Sequence, residues 1–361
     1  MNTFVPSYYG DFKCTGGSCT DNCCRGGWLI ELDGETLEYI DSLEGEWGAR
    51  LRSSLMEDED GDTCFRLVDG NCPHLGDDGL CMVYTALGEE HMGLVCREFP
   101  RFTNDCGTYA EKGLGLACEE AARIILYDDR RFGLVGIGES QCPDGVKCDG
   151  NVGTGELMAF RQALVNVIES GEGDIDTRIA LCLQMAEDYQ DKINCSGKME
   201  GFACHANTVK PGIEIMNPAL GRTLFDIYDS LEVLNESWTA MRDAAFTYLF
   251  EDAQDSLYRE RMAASFAAIE HGERLAANIF IYLLYRYVPK ALEDYDVLDK
   301  VRFGVSFYVV LRQMLAGLYG KCGHPLGEKQ VINLVKDFSR QVEYSEDNVE
   351  AVCEEFLFGI A

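Results

Sequence analysis

From about residue 154 onward, apolar side chains return every three or four positions, the spacing of helices that bury one face. The pattern predicts helices over 156–169, 176–192, 219–234, 238–251, 256–288, 297–318 and 327–342, a bundle of about seven. Before that point the apolar runs are short, and Gly, Asp and Pro separate them. Residues 34–55 read as a helix, because Leu37, Ile40, Leu43 and Trp47 recur at helical spacing. Residues 118–126 read as another, with Glu119 and Glu120 in a first turn where the macrodipole favours acids. Residues 28–32 read as a short strand. Residues 64–68 and 80–84 read as a loose hairpin around Gly70, Pro73 and Gly76-Asp77-Asp78-Gly79. The expected fold class is therefore mainly α: a small cysteine-rich α+β region followed by a helical bundle. The Pro, Asp and Gly residues of 142–155 mark the linker, giving domains 1–150 and 151–361. There is no repeat of fixed period, no low-complexity tract and no βαβ pattern.

Charge narrows the partners. The 361 residues hold 31 Lys and Arg against 62 Asp and Glu, a net charge of −31. Such a surface repels nucleic acid, which needs cations against its phosphates. It favours a basic partner such as a lysine-bearing polypeptide, although solubility alone also accounts for an acidic surface. Residues 1–11 show neither the basic nor the apolar segment of a secretory signal. The apolar stretch 275–285 is shorter than a bilayer span and is followed by Arg286, and the stretch after Phe303 is broken by Arg312. Both are expected to be buried helices, with no membrane partner, and the expected location is the cytoplasm. With 47% hydrophobic and 11% aromatic residues, the chain can bury a full core.

Of 17 cysteines, 12 precede Gly150. In a reducing compartment that density points to metal or redox chemistry rather than to disulfides. The first group is Cys14-x4-Cys19-x3-Cys23-Cys24, with Gly16 and Gly17 giving the chain freedom to wrap. If the segment after Ser18 turns helically, Cys19 and Cys23 share a face and Cys24 points away. The adjacent pair is then not expected to serve one metal equally. Cys72, Cys81, Cys96 and Cys118 complete eight candidate ligands, enough for two four-ligand sites or for one site plus structural thiols. Cys64 and Cys106 are weaker candidates, and Cys182, Cys195, Cys204, Cys322 and Cys353 read as small buried hydrophobes. His74, two residues after Cys72, is a further candidate ligand. The irregular spacing favours an iron–sulfur cluster, with zinc as the alternative. It is not the C-x3-C-x2-C of radical enzymes. Gly136-Ile137-Gly138 is a weak cofactor signal, because Cys142-Pro143 stops any helix after it, and it reads as a turn.

These residues also carry a resemblance. The opening Val5-Pro6-Ser7-Tyr8-Tyr9 and Asp11-Phe12-Lys13-Cys14, with the run to Cys23-Cys24, resemble the flagellin lysine N-methylases. So do Cys64-Phe65-Arg66-Leu67, Gly70-Asn71-Cys72, Gly79-Leu80-Cys81, Leu87-Gly88-Glu89-Glu90 and Cys96-Arg97-Glu98-Phe99-Pro100-Arg101-Phe102. Cys118-Glu119-Glu120-Ala121-Ala122-Arg123 is similar to that family's C-P-E-A-A-R, with Glu119 in place of the proline. The first group is also similar to the C-x2-C-x2-C-C metal-chelating proteins, with longer gaps. The resemblance covers residues 5–126.

What it implies is methyl transfer from S-adenosylmethionine to lysine amines of flagellin, aided by a cysteine-bound metal, with the 4Fe–4S cluster as first expectation. Such chemistry needs a neutral amine, and a low-dielectric site lowers a lysine pKa. Tyr8, Tyr9, Trp28, Tyr84 and Phe99 are the aromatics at hand to hold a sulfonium cation. S-adenosylmethionine is expected to chelate an open iron of the cluster. Two other readings compete: a non-enzymatic electron or metal carrier with a helical docking domain, and a structural zinc scaffold.

Overall fold

The structure, a computed structural model, describes residues 2–25, 27–58, 61–139, 153–200, 214–251 and 254–358. The expected linker lies largely outside them, as do Cys142, Cys148 and Cys204. The amino-terminal part runs β1 (Asn2–Pro6), α1 (Gly34–Ser42), α2 (Gly45–Ser53), β2 (Leu55–Glu57), β3 (Thr63–Phe65), α3 (Met82–Leu87), α4 (Leu94–Glu98), β4 (Arg101–Asp105), β5 (Tyr109–Leu114), α5 (Glu119–Tyr127) and β6 (Leu134–Glu139). The helical part runs α6 (Gly153–Glu169), α7 (Ile175–Ser196), α8 (Pro218–Asp229), α9 (Glu236–Leu249), α10 (Asp255–Ala267), α11 (Gly272–Tyr287), α12 (Ala291–Asp294), α13 (Val297–Cys322), α14 (Glu328–Glu343) and α15 (Glu346–Phe358). The fold is mainly α, with two small sheets near the amino terminus.

Several expected elements are redrawn. The 34–55 helix is two, because Leu43 turns to extended backbone and Gly45 takes φ +79°. The 256–288 helix is also two, broken where His271 takes φ +56° ahead of Gly272. Residues 28–32 form no strand and make only a single bridge, Glu31 to Cys64. The hairpin joins β2 to β3 rather than 64–68 to 80–84, since Met82–Leu87 coils into a helix. The larger sheet has the order β4-β5-β1-β6, with β1 parallel to β5 and antiparallel to β6. The Gly136-Ile137-Gly138 segment lies in edge strand β6 rather than in a turn. Gly138 takes φ +56° there, and the β1 register slips between Asn2 and Thr3.

Side chains fix the helix starts. Asp33, Asp174, Asn217, Asn235 and Asp296 each accept a backbone N–H from the first turn of the helix that follows. Helix α13 is the spine, burying Phe303, Phe307, Tyr308, Val309, Val310 and Leu311. It is long and apolar enough to cross a membrane, but 89% of its apolar window is buried within the protein. Gly317 lets it approach α9, since a Cβ there would collide with the backbone of Ala244 and Ala245. The same core takes in Tyr8, Leu114, Leu116, Ala121 and Ile125 from the amino-terminal part. A second, small core of Leu32, Ile40, Leu51, Phe65 and Val83 supports the cysteine-bearing turns.

One buried ion pair ties the sheet to the bundle. Arg161 of α6 grips Glu111 of β5 at 2.5 and 2.8 Å, with side chains 6% and 1% exposed. The guanidinium also lies 5.1 Å from the ring centroid of Tyr285.

Candidate metal centre

The described cysteines are all free thiols. The segment after Ser18 does not turn helically: Cys19 is extended (φ −66°, ψ 130°), and only a short turn forms at Cys23–Arg25. Cys19 and Cys23 therefore do not share a helix face. The eight candidate ligands instead fall into two sets by the neighbours whose fields they feel.

The larger set is Cys23, Cys24, Cys72, Cys81 and Cys96. Cys24 sits within hydrogen-bonding reach of both Cys23 and Cys72, so the adjacent pair stays together. The Cys24 contact holds each of Cys23 and Cys72 down to about 7, while sharing its proton pushes Cys24 itself up. Burial raises Cys81, and it raises Cys96 to about 12, with the fields of Cys23 and Cys72 adding to both. Five sulfurs this close cannot all ionise by themselves; a bound cation would reverse that, since coordination removes thiol protons.

Backbone geometry holds this set in place. The Cys72 N–H donates to the Cys24 carbonyl at 2.9 Å, and the Cys24 N–H donates to Asn22 Oδ1 at 3.1 Å. Asn22 Nδ2 donates to the Gly79 carbonyl at 3.0 Å, tying this loop to the turn before Cys81. Gly17 packs under Asp78 and Leu80, where a Cβ would not fit. Trp28 Nε1 donates to the Cys23 carbonyl at 3.0 Å, and its ring packs with Phe99 and Tyr344 at 5.5–5.9 Å.

The smaller set is Cys14, Cys19 and Cys118. Cys118, just before α5, is raised to about 11 by burial, with the fields of Cys19 and Cys14 adding to it. Cys14 is exposed and its sulfur accepts the Gly16 N–H at 3.4 Å. The Cys19 thiol donates to Glu119 Oε2 at 3.7 Å, and the same oxygen accepts the Thr20 N–H and hydroxyl at 3.1 and 2.6 Å.

Helix α14 reaches this region from the far end of the chain. Lys336 and Arg340 both pair with Asp21, which lies between Cys19 and Cys23; the Arg340 contact is 2.6 Å. Arg340 Nε donates to the Ala117 carbonyl at 2.9 Å, its guanidinium lies 5.2 Å from the Trp28 ring centroid, and its charge acts on Cys23. Burial alone would raise Asp21, but Lys336 and Arg340 outweigh it and hold the carboxyl below its ordinary value. These cations are not among the residues that the cysteine pattern marks. The available signal was two bases and an acid, Lys336, Arg340 and Glu343, on the apolar face of a strongly amphipathic helix.

His74 is only 1% exposed. Its Nε2 lies 2.9 Å from the Ser54 hydroxyl, its ring packs edge-on against Phe65, and burial lowers it to about 4. Its contribution to the thiol set is a backbone N–H directed at Cys72. Cys64 and Cys106 are buried. Of the five aromatics singled out, Tyr8 is buried, Tyr9, Trp28 and Phe99 are half-buried, and Tyr84 is exposed.

Among the described residues, the one trio of ligand atoms within 4.8 Å of one another is carboxylate, from Glu31, Asp58 and Asp62. A tetrahedral zinc with bonds of about 2.3 Å needs sulfurs roughly 3.8 Å apart. No three thiol sulfurs among the described residues lie within 4.8 Å of one another.

A family model described as the FliB lysine N-methylase C-terminal domain matches residues 161–359. The flagellar biosynthetic protein FliU of Salmonella muenchen is 31% identical over 129 residues, which is 34% of this chain and 76% of that protein. Lysine-N-methylases of Salmonella choleraesuis (strain SC-B67) and Salmonella typhimurium (strain LT2) are also 31% identical over 129 residues. The match spans 32% of the length of each of these two. No solved structure matches.

Proposed function

We propose, on the premise that this chain belongs to the FliB lysine N-methylase family, that it methylates lysine side chains of flagellin. The donor in this reading is S-adenosylmethionine and the resident metal group is a cysteine-held iron–sulfur cluster, first of all 4Fe–4S. The observation that carries the reading is the convergence of Cys23, Cys24, Cys72, Cys81 and Cys96 beside the family-matched helix α14. The cluster's ligands would be drawn from those five thiols, three of them where one iron is left to the donor. When bound, the cluster would supply an electron reservoir and a Lewis-acidic iron.

The chain's own residues have defined tasks in this reading. Arg340 offsets the negative charge that thiolates bring, because its guanidinium is buried beside Cys23 and fixed by Asp21 and Ala117. Trp28, packed with Phe99 and Tyr344, fixes the Cys23 carbonyl through its indole N–H. Arg340 already lies over Trp28, so the exposed ring of Tyr84, three residues after Cys81, is the better placed of the aromatics to meet a cationic ligand. The acidic surface draws in a lysine-bearing polypeptide. Methyl transfer then needs the lysine amine neutral: its lone pair takes the methyl, the donor sulfur keeps the bonding electrons, and the nitrogen's surplus proton leaves.

The test is incubation of anaerobically purified full chain with methyl-labelled S-adenosylmethionine and flagellin, with methyl-lysine mapped by mass spectrometry. Labelled lysines are the expected result. Iron-replete protein that labels no lysine would overturn the enzymatic reading in favour of a metal carrier. Zinc in place of iron and sulfide would favour the scaffold.

A further inference from the structure

We infer that Leu29, Leu94 and Val95 form the docking surface for the lysine-bearing partner, and that the segment they take carries bulky apolar side chains beside its lysine. The inference rests on the reading above that the chain acts on flagellin lysines, and adds where the substrate lies and what flanks its lysine. It begins from exposure. Leu29, Leu94 and Val95 are 44%, 44% and 46% exposed, although their two segments also send Leu32 and Met92 into the small core. Large apolar side chains left in water and rimmed by charge mark a surface that another molecule covers.

Contacts at both ends hold the two segments side by side. At one end Gly93 packs so near Leu32 that a Cβ would lie 3.0 Å from that side chain, and the Leu94 N–H donates to Asp33 Oδ2 at 2.9 Å. At the other, the rings of Trp28 and Phe99 meet with centroids 5.8 Å apart. Leu29, Leu94 and Val95 fall between these contacts. Asp33 serves twice, since its Oδ1 also accepts the Thr36 N–H at the start of α1, and Tyr39 stacks on His91 at 4.1 Å. The surface is thus set before a partner arrives, which lowers the entropy cost of binding. It also borders the five-thiol set: Val95 precedes Cys96, and Trp28, beside Leu29, donates to the Cys23 carbonyl at 3.0 Å.

Charge selects the partner. Residues 27–35 and 89–98 hold six carboxylates, Glu31, Asp33, Glu35, Glu89, Glu90 and Glu98, against Arg97 and His91. Glu31, Glu35, Glu89 and Glu90 are exposed, and Asp58 and Asp62 bring carboxylate oxygens within 4.8 Å of that of Glu31. Lys112 offsets only Glu98, at 3.8 Å. An acidic rim around an apolar centre repels a second copy of this chain, whose net charge is −31. It accepts a segment that is basic and apolar at once.

The experiment uses two labelled synthetic peptides of equal charge, with their lysines flanked by leucine in one and by serine in the other. Fluorescence anisotropy reads their binding to anaerobically purified full chain without a methyl donor. The proteins are the wild type, Leu29→Gln/Leu94→Gln/Val95→Gln and Glu31→Gln/Glu35→Gln. Wild type should prefer the leucine-flanked peptide by about tenfold, and flagellin should displace it. The triple variant should lose the preference, and the Glu31/Glu35 variant should weaken both peptides alike and flatten their salt dependence. Leu29→Gln alone, which touches no helix, should lose part of the preference even if the triple variant misfolds. A wild type that binds the two peptides equally, a folded triple variant that keeps the preference, or flagellin that does not compete would each overturn the inference. Binding and methylation are separate readouts: a wild type that shows the preference but labels no flagellin lysine removes the enzymatic reading while supporting the docking surface.

Discussion

Two residues show how charge is used inside this protein. Asp21 joins the loop between Cys19 and Cys23 to Lys336 and Arg340, whose side chains are 3% and 8% exposed. Asp21→Asn leaves those cations facing a neutral amide, with Asp337 still beside Lys336, and should cost about 2–3 kcal/mol in chemical denaturation. Because the folded protein holds the Asp21 carboxyl below its ordinary value, its contribution is fully present above the unfolded pKa, about 4, and is lost as pH falls through the folded value. The stability gap between wild type and Asp21→Asn should therefore narrow below about pH 4, measured by urea titration at pH 7 and pH 3. Glu111→Gln strands the buried Arg161 guanidinium, and a loss of about 3–5 kcal/mol is expected by the same measurement. A Glu111→Gln protein as stable as wild type would contradict the role given to this pair.

Among the elements, the contact of α13 with α9 is the most exacting. Gly317→Ala pushes a methyl group into the Ala245 backbone, and a rigid helix pair has no flexible side chain to move aside. The expected loss is about 1–3 kcal/mol, seen as a lower Tm. This spine was legible in advance, since Phe303, Phe307 and Val310 repeat at helical spacing and form the centre of the core. The two helix breaks were not, because Gly45 and His271 interrupt patterns whose apolar period continues across them. The larger sheet escaped for another reason. Strand β1 pairs with β5 and β6, more than a hundred residues away, and nothing local in a five-residue run announces such partners. Cysteine content marked the region of the candidate centre, but not its partition. Cys19 and Cys23 are four residues apart, and they go to different sets because an extended residue replaces the helical turn their spacing allows.

Over the whole molecule, the net charge of −31 would, on the proposed function, steer encounter with a basic partner. Binding of a lysine-rich flagellin fragment should weaken by about tenfold between roughly 50 and 300 mM salt, mostly through a slower on-rate. Surface plasmon resonance across a salt series would detect this, and a flat series would mean that charge does not steer the encounter. The reach of α14 back to Asp21 has a consequence in time. The partners in that clamp are separated by 315 residues, so at about 5–20 residues per second some 15–60 s of translation pass between them. Until Lys336 and Arg340 leave the ribosome, the loop carrying Asp21 lacks its two cationic partners. On the reading proposed above, a metal group would be seated firmly only once the helix bearing Lys336 and Arg340 has emerged to clamp Asp21.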